Sequence, residues 1–450
     1  MILALPWIPF AGALMILGVP AHRETLLRAI ALISTGLSFA ITIALFMTFQ
    51  AGKPGYQFYH SIEWLPSFGI QYQVGLDGIN MTLCLLHALV SLAGVFMAIK
   101  PKDRLKDYLF FYLLLIAPIY GVFTSLNIFF LYVFYEMTLI PLYPMIGMWG
   151  SKNKEYGAMK LTIYITAGAV LSLFGIMLLY REMGSATFDF VRVQGILRQT
   201  PLAPDFQKVV AGLFLLGFGV IASLWPLHSW SPIGYAAAPT SVSMLHAGVL
   251  KKMGPYLMIR FAIALMPEGV KAWSGILAAL AGIGVLYAGF AAIRQKDLKF
   301  MVGFSSVSHM GYILLGLAAM TQTSIAGAVM LMFSHGIMAA CFFAPDRVHL
   351  RTGARSRGQG FWRVRKIHAF YRDLLCHDLA RVSRPSRLFQ FRGGTSDLYR
   401  QLEILPADRR FWRFCHSDHG YLSFAGRSIR LLRACQSTVE GSEGRRDFDR

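Results

Sequence analysis

The sequence predicts an all-α polytopic membrane protein. Of its 450 residues 55% are hydrophobic and only 15% charged, and the mean hydropathy is +0.51. Apolar windows long enough to cross a bilayer recur along the first 343 residues. The five cysteines, Cys84, Cys341, Cys376, Cys415 and Cys435, lack CxxC or other ligand spacing. Free thiols are expected, not a disulfide framework or a metal cluster. A formal charge of +20 would suit a nucleic-acid binder, but its distribution is very uneven and no nucleic-acid partner is expected.

The first window, 2–19, has no basic segment before it, and its nearest positive charge is Arg23 on the far side. It reads as a retained span, not a cleaved signal. Windows follow at 25–48, 78–99, 107–124, 127–149, 156–180, 208–228, 241–265, 271–292, 300–320 and 323–343, each able to cross a core of ~30 Å. The stretch 51–77 is rich in Tyr, Trp and Pro; it either lies along the membrane interface or is an ordinary connector. The loops after spans one, three, five, seven and nine share one side and hold Arg23, Lys100, Lys102, Arg104, Lys106, Lys152, Lys154, Arg294, Lys296 and Lys299. The opposite loops are poorer, apart from 181–207 with Arg181, Arg192 and Arg198. The positive-inside rule puts the lysine-rich loops in the cytoplasm and Met1 on the other side.

Charges inside the spans are the informative exceptions. Lys251 and Lys252 sit in the middle of the eighth window. Twelve helical residues advance about 18 Å, close to the midplane. A lysine there costs about 2.5–3.5 kcal/mol and is retained for an ion pathway or a buried partner. The two side chains point about 100° apart, so at most one faces a given axis. Gly248, four residues before Lys252, leaves space on that side, which makes Lys252 the expected proton carrier and Lys251 a residue paired elsewhere.

Glu136 lies nine residues into the fifth window, so its carboxylate is protonated, paired, or facing a hydrated cavity. Each suits proton handling; a static ion pair locking two helices is the competing reading. Pro141 and Pro144 free the carbonyls of Met137 and Ile140, for a water-admitting kink or a packing kink. In the seventh window Pro226 and Pro232 flank His228, which titrates at the break or is a neutral ring bonded to a freed carbonyl. His309, among Ser305, Ser306 and Ser308, and His335, beside Ser334, are further relay candidates, because imidazole ordinarily titrates near pH 6.5. His246 is a weaker candidate on another face, and His87 reads as a bonded packing residue. No nucleotide-binding glycine loop, iron–sulfur cysteine cluster or haem-ligand arrangement is present; the chain is expected to move charge and to have no redox centre of its own.

After residue 343 the composition changes abruptly. Residues 344–450 hold 21 Arg and one Lys, against 8 Arg and 13 Lys before, and carry a net charge of +11. No run there spans a bilayer. A soluble basic domain, a polybasic lipid-binding extension and out-of-frame or disordered sequence compete; the exchange of Lys for Arg and the lack of periodicity favour an out-of-frame tail.

Several motifs together resemble the antiporter-like membrane subunits of bacterial NADH-quinone oxidoreductase, respiratory complex I, and most closely the M (ND4-type) class. They are Phe134-Tyr135-Glu136-Met137 through Pro141, Pro226-Leu227-His228-Ser229-Trp230, Ala238-Pro239-Thr240, Ala247 through Gly254, and Asp297-Leu298-Lys299 through Gly311. The resemblance covers 1–343. It implies a bundle with inverted repeats and a broken helix in each, the second repeat truncated here. It also implies a proton-translocating subunit in the bacterial inner membrane, packed in lipid against other membrane subunits of complex I. Proton transfer would fall on Glu136, Lys252 and His309, with Lys251, His228 and His335 beside them, quinone reduction elsewhere altering Glu–Lys pairing. NAD, quinone, flavin and iron–sulfur clusters would sit in partner subunits, with no cofactor in this chain. The sequence departs at Ile221, where the family commonly has a lysine; Lys251 or His246 is the expected substitute. A multi-subunit cation/proton antiporter, a membrane-bound hydrogenase subunit, or a non-functional truncated chain are the alternatives.

Overall fold

A backbone in hydrocarbon must satisfy its own polar groups, and helices do so within one segment. The computed structural model describes residues 1–53, 55–99, 103–151, 153–184 and 187–343; the arginine-rich tail lies outside the described residues. The bundle is built from α1 (Ala4–Gly18), α2 (Glu24–Thr48), α3 (Gly78–Ala98), α4 (Leu105–Thr124), α5 (Ile128–Met137), α6 (Leu139–Trp149) and α7 (Lys154–Glu182). After the short α8 (Phe190–Gln199) come α9 (Pro204–Ile221), α10 (Trp230–Ala237), α11 (Thr240–Gly248), α12 (Met253–Leu257), α13 (Pro267–Ile293), α14 (Leu298–Ala318) and α15 (Gln322–Phe343). Taking α5 with α6 as one, nine of these segments are long and apolar enough to cross a membrane. Short α1 and the irregular stretch 240–265 fall in the first and eighth of the eleven apolar windows.

Interhelical bonds sort the connections into two sets, as the charge distribution predicted. On one side Lys106 Nζ donates to Leu17 O at 2.8 Å, Trp149 Nε1 to Asp103 O at 2.7 Å, Ser151 Oγ to Ala236 O at 2.8 Å, and Lys299 Nζ to Ala238 O at 3.4 Å. These join the loops after spans one, three, five, seven and nine. On the other, Leu126 N donates to Gln73 O, Ile128 N to Phe188 O, and Phe190 N back to Leu126 O.

The aromatic stretch 51–77 contains neither a flat interfacial segment nor a plain connector. It folds into a hairpin of β1 (Gln57–Leu65) and β2 (Ile70–Leu76), antiparallel with Ile62 opposite Tyr72 and His60 opposite Val74. β2 is almost wholly buried and β1 largely exposed, so the hairpin lies with one strand on the helices. Gln73 Nε2 fastens it by donating to Asp189 Oδ2 at 2.9 Å. Asp189 also caps α8, accepting from Val191 N and Arg192 N.

Three spans depart from single helices, each for a backbone reason. The fifth divides at Thr138, because Pro141 cannot donate to the Met137 carbonyl. The seventh stops at Ile221, so its break lies deeper than its expected end at 228. Ser223 takes a left-handed φ of 58°, and the Trp225–Pro226 peptide is cis. The Val220 carbonyl left over there accepts from Ser223 N and from the Trp230 ring N–H at 2.9 Å. The eighth crossing is interrupted where Val249 leaves helical geometry (φ −128°, ψ −58°). A single 3₁₀ turn over Leu250–Lys252, α12 and a π-helical turn over Met258–Ile263 complete it. Irregular backbone at this depth is tolerated where protein covers it, and every residue from Pro239 to Ala262 is buried.

Candidate functional site

The irregular turn aims two lysines in different directions. Both are completely buried. Lys251 Nζ donates to Ser231 Oγ of α10 at 3.0 Å and to Ser306 Oγ of α14 at 3.4 Å, and lies 5.5 Å from the centre of the Tyr235 ring. Two hydroxyls and an aromatic face suit an ammonium removed from water. Lys252 Nζ turns back to the Ala247 carbonyl of its own segment, which the interruption has released. Lys251 is thus the lysine shared with neighbouring elements, and Lys252 the one held locally.

Gly248 supplies no open space beside Lys252, contrary to the sequence expectation. A side chain at Gly336 would meet Gly248 O at 2.6 Å, and one at Gly248 would meet Val90 at 3.1 Å and Gly336 O at 3.3 Å. The two glycines instead let α11 and α15 touch through backbone. That contact sets His335, next to Gly336, against the helix that leads into the lysines. His335 stacks on His309, ring centres 4.9 Å apart, while His309 Nδ1 is 2.8 Å from Ser305 O.

On the other flank, His228 occupies the break with Nδ1 buried and unbonded, its ring edge-on to Tyr287 at 5.1 Å. His246 stacks on Trp230 at 5.4 Å and meets Tyr235 edge-on at 5.1 Å. The position expected to hold a further lysine, Ile221, packs on Gly254, where an added side chain would meet Ile221 Cγ2 at 2.7 Å. Polar contact with the broken crossing comes from Lys251. His87 is the bonded packing residue expected, with Nε2 3.1 Å from Ile116 O and Nδ1 3.1 Å from Ser91 Oγ.

Glu136 stands apart. α5 packs chiefly on α4, α6 and α7. Among the described residues no ion pair joins Glu136 to a lysine, so neither the locking pair nor a direct Glu–Lys pair is formed in this state. The carboxyl is half-buried, Oε1 has no hydrogen-bond partner, and Tyr132 and Tyr135 flank it. One and two turns further on, Ile140 is 64% exposed and Tyr143 50%, whereas Oε1 itself is buried.

Two cations escaped the sequence reading. Lys160 is one. The other, Arg260, lies in the same apolar window as the paired lysines, and noticing a third charge there would have found it. Its Nη2 is 2.7 Å from Asp77 Oδ2, Nη1 donates to Tyr56 OH at 3.3 Å, and the guanidinium lies over Tyr256 at 5.2 Å and Tyr56 at 5.7 Å. Burial pushes the Tyr56 phenol, in the loop before the hairpin, up to about 12, so it meets Arg260 as a neutral hydroxyl.

Residues 125–357 match the model of a family described as NADH:quinone oxidoreductase/Mrp antiporter, transmembrane. The chain is 32% identical over 344 residues to NADH-quinone oxidoreductase subunit M of Rickettsia conorii, covering 75% of this chain and 69% of that one. It is 30% identical over 380 residues to subunit M of Rhodobacter capsulatus, covering 82% and 73%. A chain of respiratory complex I from Thermus thermophilus with bound NADH superposes with a TM-score of 0.69 at 28% identity, over 78% of this chain and 72% of that chain.

Proposed function

The chain belongs to the NADH:quinone oxidoreductase/Mrp antiporter transmembrane family, and from that premise we propose that a buried row of histidines and lysines carries the protons it moves. It is a multi-pass, proton-translocating membrane subunit of NADH-quinone oxidoreductase, complex I, working among the other membrane subunits of that assembly. The observation that carries the proposed row is the Lys251–Lys252 pair, completely buried, with Lys251 bonded to Ser231, three residues after His228, and to Ser306, three residues before the His309 that stacks on His335.

The adjacent ammoniums make the mechanism. Two positive charges on consecutive buried residues repel, so a proton on one disfavours a proton on the other. A proton arriving at Lys251 from the His228 flank therefore favours release from Lys252 toward His335 and His309. The Ser231 and Ser306 hydroxyls accept from Lys251, and the Ala247 carbonyl accepts from Lys252. Glu136 takes part from outside this row. Its Oε1 is enclosed within this chain without a hydrogen-bond partner, a buried acid able to take up and release a proton.

Among the described residues no three His, Cys, Asp or Glu side chains are grouped to hold a metal. The nicotinamide, flavin, iron–sulfur and quinone chemistry is assigned to partner subunits, and no step here passes through those groups. The lysine-rich loops are assigned to the cytoplasmic face of a bacterial inner membrane, with Met1 opposite.

Replacing Glu136, Lys251 or Lys252 by Ala should reduce proton uptake coupled to quinone reduction in proteoliposomes, with the assembled complex recovered in normal yield. Wild-type pumping by all three variants would remove the assignment.

A further inference from the structure

We propose that Lys160 loads protons into the buried row, passing them through Tyr164 and Ser229 to His228. The inference rests on the reading above that this row carries the protons.

Lys160 is the one charged residue between positions 156 and 180. It lies six residues into α7 from Lys154, about 9 Å along the axis, so it stands between the lysine-rich face and the middle of the membrane. Its ammonium is 5.7 Å from the centre of the Tyr156 ring toward that face and 5.8 Å from the Tyr164 ring toward the middle. Tyr164 OH accepts from Ser229 Oγ at 3.2 Å, and Ser229 directly follows His228 in the broken crossing. Residue types alone would let Lys160 bend its stem to the surface. The packing brings its helix close to the break: an added side chain at Gly157 would meet Ala237 Cβ at 2.5 Å, and one at Gly234 would meet Leu161 Cδ1 at 2.8 Å. This turn of α7 is therefore pressed against α10, beside the break. The unbonded Nδ1 of His228 provides an acceptor.

The transfer balances without electrons. An N–H bond breaks at Lys160 Nζ and one forms at His228 Nδ1. Each intervening hydroxyl takes one proton and gives one, and Lys160 is recharged from water at the face. Ser229 now donates to Tyr164, so the two hydroxyls must turn over before a proton passes inward. This is a closed setting of the path.

The test uses the assembled complex in proteoliposomes, with proton uptake measured beside quinone reduction for Lys160→Ala, Lys160→Arg and Lys160→His. Arg keeps the charge and the long stem but does not release its proton, having a pKa above about 12; His can exchange one. Uptake through this subunit should fall about 100-fold in the Ala and Arg variants, the low end for removing a proton-transfer group, and His should restore part of it. Wild-type uptake by Lys160→Ala would make Lys160 a side chain that merely reaches the surface. Wild-type uptake by Lys160→Arg would reduce it to a fixed charge. An assembled Lys160→His complex as inactive as Lys160→Arg would also overturn the proposal. If Lys160→Ala does not assemble, the Arg and His variants decide alone. Lys251→Ala, run in parallel, separates the two readings: normal uptake there overturns the row itself, whereas normal uptake in the Lys160 variants alone overturns only the loading step.

Discussion

Asp77 performs two separable tasks, and this makes Asp77→Asn a sharp perturbation of the link between the hairpin and the eighth crossing. Oδ1 caps α3, accepting from Ile79 N and Asn80 N at 3.0 Å each, and Oδ2 pairs with Arg260 at 2.7 Å. Arg260, the charge that would be orphaned, is 8% exposed and Asp77 22%, so the cation is buried and the aspartate only partly so. Asn retains an oxygen for the cap and removes only the charge. Leaving Arg260 without its counter-charge costs about 3–5 kcal/mol. Asp77→Ala loses the cap as well, about 1 kcal/mol more. The remaining ties of the hairpin, Gln73 to Asp189 and Leu126 to Gln73 O, are the same in wild type and variant and cancel in the comparison. A loss of 3–5 kcal/mol multiplies the open fraction roughly 150- to 5,000-fold. Hydrogen exchange at the β2 amides in the purified complex reads that opening directly. Removing both charges, in Asp77→Asn with Arg260→Met, should recover most of the protection, because the cost is that of an orphaned charge. A rise below about fivefold in the single variant, or a double variant as open as the single, would refute the reasoning.

Two further outcomes follow from the packing and the composition. Gly336→Ala puts a methyl within 2.6 Å of Gly248 O and of Leu86, so α15 must back away; stability should fall by about 1–3 kcal/mol in thermal denaturation, with proton uptake falling more than quinone binding. Unchanged uptake would show that the α11–α15 contact does not position His335. For the tail, the nucleotide sequence around codon 343 read in another frame should encode three more apolar spans, and finding none in either alternative frame would discard the out-of-frame reading.

Much of the site was legible because lipid makes charge conspicuous. Lys251, Lys252, Glu136, His228, His309 and His335 each stood out against apolar neighbours. Lys160 was less visible, lying near the end of a span where lysines commonly reach the surface. The directions of the two lysines were not legible, for a local reason. The 100° rule assumes a regular helix, and the turn over Leu250–Lys252 is 3₁₀, so helical angles do not say where either ammonium goes. The hairpin escaped because the stretch was read for membrane affinity, although Ile70, Tyr72, Val74 and Leu76 alternate with Gln71, Gln73 and Gly75 as a strand does.

Number of crossings, grouping of the loops on two sides and the presence of costly charges at depth were determined by the sequence alone, because transfer of apolar and polar groups into hydrocarbon depends on composition and span length. Which charge meets which partner was decided only by the tertiary structure. Lys251 finds Ser231 and Ser306 across two other elements, and His335 is set against the helix leading into the lysines by a glycine–glycine contact between α11 and α15. Such pairings depend on sub-ångström backbone approach between segments distant in the chain, and on where a helix is interrupted, neither of which leaves a periodic trace in the residues themselves.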